Sequence, residues 1–175
     1  MIETRFPVAS DFEAGSVERL SRLVNEVYDV AESGLWKRKG TRTNAAEIER
    51  LLREGALILA ELDGAIVGSV NVDLMDNGVG HFGMLVADPN YRGRGIGSAL
   101  VARAEDWARG RGCRTMRLEL LTPRHWTHPV KEFLKAWYTR LGYKPHATEP
   151  LEVLHADLAP ELATECDYTV WRKPL

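Results

Sequence analysis

Apolar residues recur at three- and four-residue steps in four stretches of the chain, with polar residues between them. This spacing places the apolar side chains on one face of a helix and is typical of amphipathic helices packed on a core. In the second stretch Asn44 and Glu47 form a capping pair at the expected start, and Gly55 marks the end. The pattern therefore predicts helices over about residues 16–31, 44–53, 96–108 and 133–141.

Other segments are rich in the residue types that strands favour and are bounded by turn signals. Asp63-Gly64 separates two such runs and is typical of a type I′ hairpin turn, and Asn77-Gly78 marks a second turn. The strands are predicted over residues 56–62, 65–74, 79–87 and 115–121, with weaker strands over 151–154 and 168–172.

The order of these elements predicts an α/β fold built on a mixed twisted sheet. The early strands form an antiparallel meander, and the strand, helix and strand between residues 79 and 121 form a βαβ crossover. The chain has 175 residues, of which 45% are hydrophobic and 27% charged, as in ordinary globular proteins. We therefore expect residues 1–175 to form a single domain.

Charge and composition exclude several partners. The formal net charge is -2, so no general positive field would hold nucleic acid or an anionic membrane, and any anion site must be local. No apolar run reaches the roughly 18–20 residues that span a bilayer, and no secretory signal is recognisable, so a cytoplasmic location is expected. Cys113 and Cys166 stand apart from metal-ligand spacings, which predicts neither a disulfide framework nor a metal site.

Candidate chemistry concentrates between the predicted strand 79–87 and the helix after it. Three glycines leave the first helical turn without side chains, so its unpaired backbone N–H groups can approach a pyrophosphate, and two arginines add local positive charge. The other interpretation is a tight turn that needs glycine only for its backbone angles. The residues concerned are Arg92, Gly93, Arg94, Gly95, Ile96, Gly97 and Ser98.

Two other phosphate-binding patterns fit this loop less well. A P-loop is excluded because no Lys follows Gly97. A dinucleotide-binding Rossmann turn has an acid about twenty residues further on, where Glu119 stands, but it leaves no room for the segment 88–92 between strand and glycines. A nucleotide-dependent oxidoreductase therefore stays open only as an alternative.

Two motifs resemble those of the GNAT acetyltransferase family. Arg92-Gly93-Arg94-Gly95-Ile96-Gly97, preceded by Asp88-Pro89, is similar to the acetyl-CoA-binding motif of that family, and the helix end Trp137-Tyr138-Thr139-Arg140-Leu141-Gly142-Tyr143 resembles the end of its last conserved helix. The resemblance covers about residues 56–145. It implies an acyl-CoA N-acyltransferase fold and transfer of an acetyl group from acetyl-CoA to a small-molecule or peptide amine.

The resemblance also implies roles for particular residues. The main chain near Leu85, Val86 and Ala87 would hold the pantetheine arm of acetyl-CoA and donate an N–H to the thioester carbonyl. Tyr138 stands where the family has its general acid, and a protonated phenol is able to donate to the departing thiolate. The alternative for Tyr138 is a ring that only packs in the core.

The base that takes the proton from the amine is harder to identify. His81 has a suitable intrinsic pKa, and Glu119 on the neighbouring strand is able to act directly or through water. Either residue is equally typical of a structural hydrogen bond. A desolvated amine that loses its proton to water needs no dedicated base.

The acceptor amine is not encoded in any motif, and a catalytically silent acyl-CoA sensor remains a second function class. We expect the acceptor near Glu26, Tyr28, Trp36 and Arg124, and the loop 121–129 either lines its pocket, covers the cofactor or is a stiff surface loop. Lys131 stands where the family usually has an Asn that touches the pantetheine arm, so the resemblance does not imply that contact here. A homodimer stays open as the assembly.

Overall fold

The computed structural model describes all 175 residues and contains one seven-stranded mixed sheet flanked by helices. The strand order is β1-β2-β3-β4-β5-β7-β6. The strands are β1 (Glu3–Arg5), β2 (Leu57–Leu62), β3 (Ala65–Met75), β4 (Val79–Ala87), β5 (Thr115–Pro123), β6 (Lys144–Pro150) and β7 (Cys166–Pro174). The helices are α1 (Ala14–Ala31), α2 (Ala45–Arg53), α3 (Ile96–Arg109), α4 (Pro129–Arg140) and the single turn α5 (Leu151–Leu154).

The predicted helices and the predicted hairpin are confirmed. The Asn44 side chain accepts a hydrogen bond from the Glu47 N–H at 3.0 Å and so caps α2. Asp63 and Gly64 both have positive φ, 51° and 81°, as a type I′ turn requires. The turn residues thus set the register of β2 against β3, in which Leu62 pairs with Ala65.

Helices cover both faces of the sheet. On one face α1 and α2 bury apolar side chains against Leu57, Leu59 and residues at the end of β4. On the other face α3 and α4 pack on a larger cluster that includes Val72 and Phe82. Burial of these two clusters stabilises the fold, since removing each square ångström of apolar surface from water contributes about 25 cal/mol.

The predicted crossover is confirmed, and its two strands soon separate. β4 and β5 run parallel and pair only over Val79–His81 and Thr115–Arg117. After these residues β4 continues beside β3 alone, while β5 continues beside β7. The sheet therefore opens between β4 and β5.

A β-bulge in β4 changes which face its side chains occupy. The register with β3 shifts between Ser69 and Asn71, and Met84 has a φ of 48°. Before the bulge Phe82 faces α3 and α4, whereas after it Met84 and Val86 face α1 and α2. No sequence signal predicted this bulge.

The C-terminal segment differs from its prediction. Residues 151–154 form the helical turn α5 and not a strand, and the strand β6 precedes them. β6 lies at the edge of the sheet, is exposed along most of its length and contains two prolines, so it lacks the alternating pattern of a half-buried strand. The strand predicted over 168–172 is confirmed and extends over Cys166–Pro174 as β7. No helix of the fold combines the length and apolar character needed to cross a bilayer.

Candidate active site

A cavity of about 650 Å³ lies at the opening between β4 and β5 and is called the central cavity below. Its walls include Tyr28 and Glu32 at the end of α1, the loop 36–42, and Leu134 and Tyr138 of α4. Because α1 and α4 lie on opposite faces of the sheet, the central cavity passes through the sheet. A volume of this size is in the range of small-molecule sites.

The N-terminus of α3 presents backbone donors as the sequence predicted. Gly93 and Gly95 have φ of 80° and 79°, and a Cβ at either position would meet no protein atom within 4 Å. The N–H of Ala99 bonds to the Gly95 carbonyl, whereas those of the preceding four residues have no acceptor in the protein. Open space and free donors at a helix N-terminus suit an anionic group.

The remaining residues of this loop have different surroundings. Arg92 and Arg94 are exposed and make no ion pair. A Cβ at Gly97 would lie 3.3 Å from the Trp137 ring, so glycine allows α3 and α4 to pack closely at this point. Ile96 is buried in the core and Ser98 is exposed.

The three residues predicted to hold the pantetheine arm follow the bulge. Leu85 lines the central cavity, the Val86 side chain is buried under α1 and α2, and Ala87 packs on the α3 face. The edge of β4 that faces β5 has no strand partner here, because the pairing ends at His81. Main-chain groups on this edge are therefore available to a ligand.

Tyr138 combines a packed ring with an unbonded hydroxyl. Its ring centroid lies 4.9 Å from that of Trp137, 6.2 Å from Phe82 and 6.0 Å from Tyr143. The residue lines the central cavity, and its hydroxyl makes no hydrogen bond to the protein. Burial raises the pKa of Tyr138, so the phenol stays protonated at neutral pH and is able to donate.

The structure brings His81 and Glu119 into contact. His81 Nε2 lies 2.6 Å from Glu119 Oε2, and His81 Nδ1 lies 2.9 Å from Asp73 Oδ1. Burial alone would lower the pKa of His81, but the hydrogen bonds to the two carboxylates outweigh it and raise the pKa to about 9. Burial acts in the opposite sense on Glu119, where the hydrogen bond and charge of His81 prevail and lower the pKa. At neutral pH the pair is an imidazolium and a carboxylate.

Two members of this cluster were missed by the sequence analysis. Asp73 pairs with His81 across β3 and β4, and Arg117 Nε donates to Glu119 Oε1 at 2.5 Å. Asp73 was within reach of sequence reasoning, because the turn at Asn77 lies midway between it and His81. No group of three or more His, Cys, Asp or Glu side chains in the structure is arranged to hold a metal ion.

The residues expected around the acceptor divide into two sets. Tyr28 and Trp36 line the central cavity. Glu26 lies instead on a separate open groove, and Arg124 Nε pairs with Asp167 at 2.9 Å outside the cavity, so the structure does not bring these two residues to the central cavity. The acidic partners of Arg124 are Glu152, Glu165 and Asp167, which the sequence patterns did not link to it.

The structure also shows what the loop 121–129 and Lys131 contact. Trp126 stacks on His128 and lies against Gly34, so beyond Leu121 the loop packs on the segment after α1 and stays outside the central cavity. Lys131 is buried in the cavity wall, where its Nζ lies 2.9 Å from Glu32 Oε1. The lysine is thus neutralised by a carboxylate from α1.

Comparisons with known proteins agree with this geometry. A model of the acetyltransferase (GNAT) family matches residues 20–143. The amino-acid acetyltransferase of Pseudomonas paraeruginosa is 26% identical over 147 residues, covering 83% of this chain and 30% of that protein, so the chain spans about a third of the relative's length. An acetyltransferase of the GNAT family from Streptococcus pneumoniae superposes with a TM-score of 0.70 at 21% identity over 100% of both chains.

A further solved structure carries the ligand expected here. It is yncA from Salmonella typhimurium with its cofactor acetyl-CoA, with a TM-score of 0.68 and 15% identity over 100% of this chain and 94% of that one. At such identities the likeness shows the fold. The match of the family model over most of the chain shows more: this protein belongs to the acetyltransferase (GNAT) family.

Proposed function

We propose that the chain transfers the acetyl group of acetyl-CoA to a primary amine by direct attack within a ternary complex. The observation that carries this proposal is the opening through the sheet between β4 and β5. A thioester held from the α3 face and an amine entering from the α1 face would meet there, beside Tyr138 and His81. The name of the Pseudomonas relative and the acetyl-CoA in the Salmonella structure support the same reaction class.

On the donor side, the free N–H groups of Gly95–Ser98 would bind the pyrophosphate, with Arg92 and Arg94 adding charge-assisted contacts. The unpaired edge of β4 after the bulge would hold the pantetheine arm. An N–H near Leu85 would then donate to the thioester carbonyl oxygen, where negative charge develops during attack. The acetyl carbon would lie in the gap between the two strands.

The reaction forms a C–N bond and breaks the C–S bond. The neutral amine attacks the carbonyl carbon, the tetrahedral intermediate collapses, and the thiolate leaves. Tyr138 donates its hydroxyl proton to the thiolate sulfur, since no protein acceptor competes for that proton. The amine's extra proton passes to solvent or to a base, and the Tyr138 phenolate takes up a proton from solvent before the next cycle.

His81 takes that proton only when it is neutral. Because its pKa is about 9, the imidazolium dominates at pH 7, and a mechanism that uses His81 as base gains rate as the pH rises toward 9. Glu119 stays ionised, but both of its oxygens already accept hydrogen bonds, from His81 and Arg117. If water takes the proton directly, the reaction does not depend on the protonation state of His81 or on a free oxygen of Glu119.

The test is a screen of acetyl-CoA consumption over a library of amines, together with calorimetry of acetyl-CoA binding. We expect binding, and CoA release with at least one amine. Binding without consumption by any amine would replace the proposal with a non-catalytic acyl-CoA sensor. Tight dinucleotide binding without CoA binding would favour the oxidoreductase alternative.

A further inference from the structure

Most charged side chains of the central cavity are already satisfied by other protein groups. Lys131 pairs with Glu32 at 2.9 Å, and Arg38 pairs with Glu161 at 3.8 Å. Glu119 is held by His81 and Arg117, as described above. Asp29, the remaining carboxylate of the wall, accepts a hydrogen bond from the Gly40 N–H at 2.7 Å. The cations among these groups are therefore already neutralised by carboxylates of the protein.

Arg42 is different. It lines the central cavity, and of the arginine and lysine side chains there it alone has no ion pair with a carboxylate of the protein. Its guanidinium carbon lies 5.0 Å from the centroid of the Tyr28 ring. The guanidinium has five N–H donors, so contact with this one tyrosine leaves donors for a ligand.

The place of Arg42 in the fold separates it from the cofactor. It belongs to the loop between α1 and α2, which lies on the opposite face of the sheet from the N-terminus of α3. No residue of 92–98 lines the central cavity. Arg42 is therefore directed to whatever enters from the acceptor side, and its planar fork of donors matches a carboxylate.

We infer that Arg42 binds the carboxylate of the acceptor, and that the acceptor is a free amino acid whose amine reaches the gap between β4 and β5. This inference rests on the proposed function and adds the substrate class to it. Among the residues that line the cavity Arg42 is exposed and Tyr138 is buried, so an amino acid would enter with its carboxylate toward Arg42 and its amine toward the gap.

The experiment compares free amino acids with their carboxamides, which keep the amine and remove the negative charge. We expect wild type to acetylate an acid with a higher kcat/KM than its amide. Arg42→Gln should lower kcat/KM for the acid by about 10- to 100-fold, as for loss of a hydrogen bond to a charged group, and leave the amide nearly unchanged. Arg42→Lys should restore part of the preference, because it keeps the charge and loses the fork.

Arg38→Gln is the matched control. Arg38 lies in the same loop and lines the same cavity but is paired with Glu161, so its replacement should preserve the preference for the acid. Equal losses with acid and amide in Arg42→Gln would overturn the inference, as would efficient acetylation of amines without a carboxylate while every amino acid is refused. Melting temperatures of the two Gln variants should match that of wild type, since Arg42 makes no ion pair and the pair of Arg38 with Glu161 is exposed and 3.8 Å long.

Calorimetry with CoA present separates this inference from the proposed function. If acids bind more tightly than amides and Arg42→Gln removes the difference, the carboxylate-binding role of Arg42 holds even if no acetylation is detected, and only the proposed transfer fails. If acetylation of other amines proceeds but acids and amides bind alike, the function holds and the inference fails.

Discussion

Two buried tyrosines on either side of the turn that ends α4 differ in what their hydroxyl groups meet. The hydroxyl of Tyr143 donates to Glu105 Oε1 at 2.9 Å in the core. The hydroxyl of Tyr138 has no protein partner and belongs to the wall of the central cavity. One hydroxyl therefore contributes to folding, whereas the other is available for chemistry.

This difference predicts opposite outcomes for the same substitution. Tyr138→Phe keeps the ring packed against Phe82 and Trp137, so melting temperature and acetyl-CoA affinity should hold while turnover falls by about 10²–10⁴-fold. Tyr143→Phe should lower the free energy of unfolding by about 1–2 kcal/mol and leave turnover near wild type. Near wild-type turnover of Tyr138→Phe with a competent amine would show that the ring only packs.

The contacts of His81 make stability depend on pH. Its pKa is about 9 in the folded chain against the ordinary 6.5, so its contribution is fully present below pH 6.5 and is lost as the pH rises through 9. The lowered pKa of Glu119 acts at the acid end, where its contribution is lost as the pH falls below its ordinary value of 4.5.

Urea unfolding of wild type and His81→Gln between pH 6 and pH 10 measures the first effect. The advantage of wild type should shrink over this range, by on the order of 3 kcal/mol for a shift of this size. Parallel pH dependence in the two proteins would mean that the histidine keeps its ordinary pKa in the fold.

At the scale of elements, Gly95 lies at the junction of β4 and α3. Two substitutions distinguish its effect on ligand binding from the effect of a strained φ on stability. Gly95→Ala places a methyl group in the open space before the free N–H groups, so we expect acetyl-CoA to bind at least about 10-fold more weakly. Gly55, at the end of α2, has a φ of 65° and similarly open surroundings. Because both glycines have a positive φ, each Ala variant should lose ~1 kcal/mol of stability. Gly55→Ala should leave the acetyl-CoA affinity measured by calorimetry unchanged.

An equal loss of affinity in both variants would show that the loss comes from destabilisation of the fold by a strained φ and not from the methyl group in front of the free N–H groups. Thermal melting of the two variants checks that their strain is comparable. A Gly95→Ala protein that binds acetyl-CoA like wild type would remove the loop from the site.

The elements that the sequence predicted are those whose signal is local. The helix cap at Asn44 and the turn at Asp63-Gly64 are formed by neighbouring residues, so their geometry follows from the residue types. The bulge at Met84 has no such signal, because a methionine with positive φ is imposed by the strands around it. The edge strand β6 was not predicted for a related reason. Its pairing with β7 outweighs the poor strand propensity of its prolines, and this pairing is not visible in the local sequence.

At the scale of the whole molecule, one sheet carries the apolar clusters of both faces. β2 and β4 contribute side chains to both clusters, so neither cluster forms without strands that the other also needs. The expectation of a single domain therefore predicts one cooperative unfolding transition, with coincident midpoints by tryptophan fluorescence and far-ultraviolet circular dichroism. Separate transitions for the two probes would contradict it, and saturating acetyl-CoA should raise the common midpoint.

The candidate site was predictable to the extent that it lies within motifs. The glycine loop and Tyr138 are part of contiguous patterns, and His81 and Glu119 stand out as polar residues in apolar strands. Arg42 and the pair of Lys131 with Glu32 come from segments far apart in the chain, and only the packing of α1 and α4 around the sheet reveals which cation is left without a partner.

Under the proposed function, the opening through the sheet lets acetyl-CoA and the amine bind to different parts of the fold. Under that function the contacts to acetyl-CoA would come from β4, α3 and α4, whereas the cavity walls on the other face come from the end of α1 and the loop that follows it. Under the proposed function, changes in that loop alter the choice of amine without disturbing the cofactor. CoA and the acetylated product then leave from opposite faces of the sheet. A change of acceptor specificity then requires substitutions in the loop after α1 and not in the elements that bind acetyl-CoA.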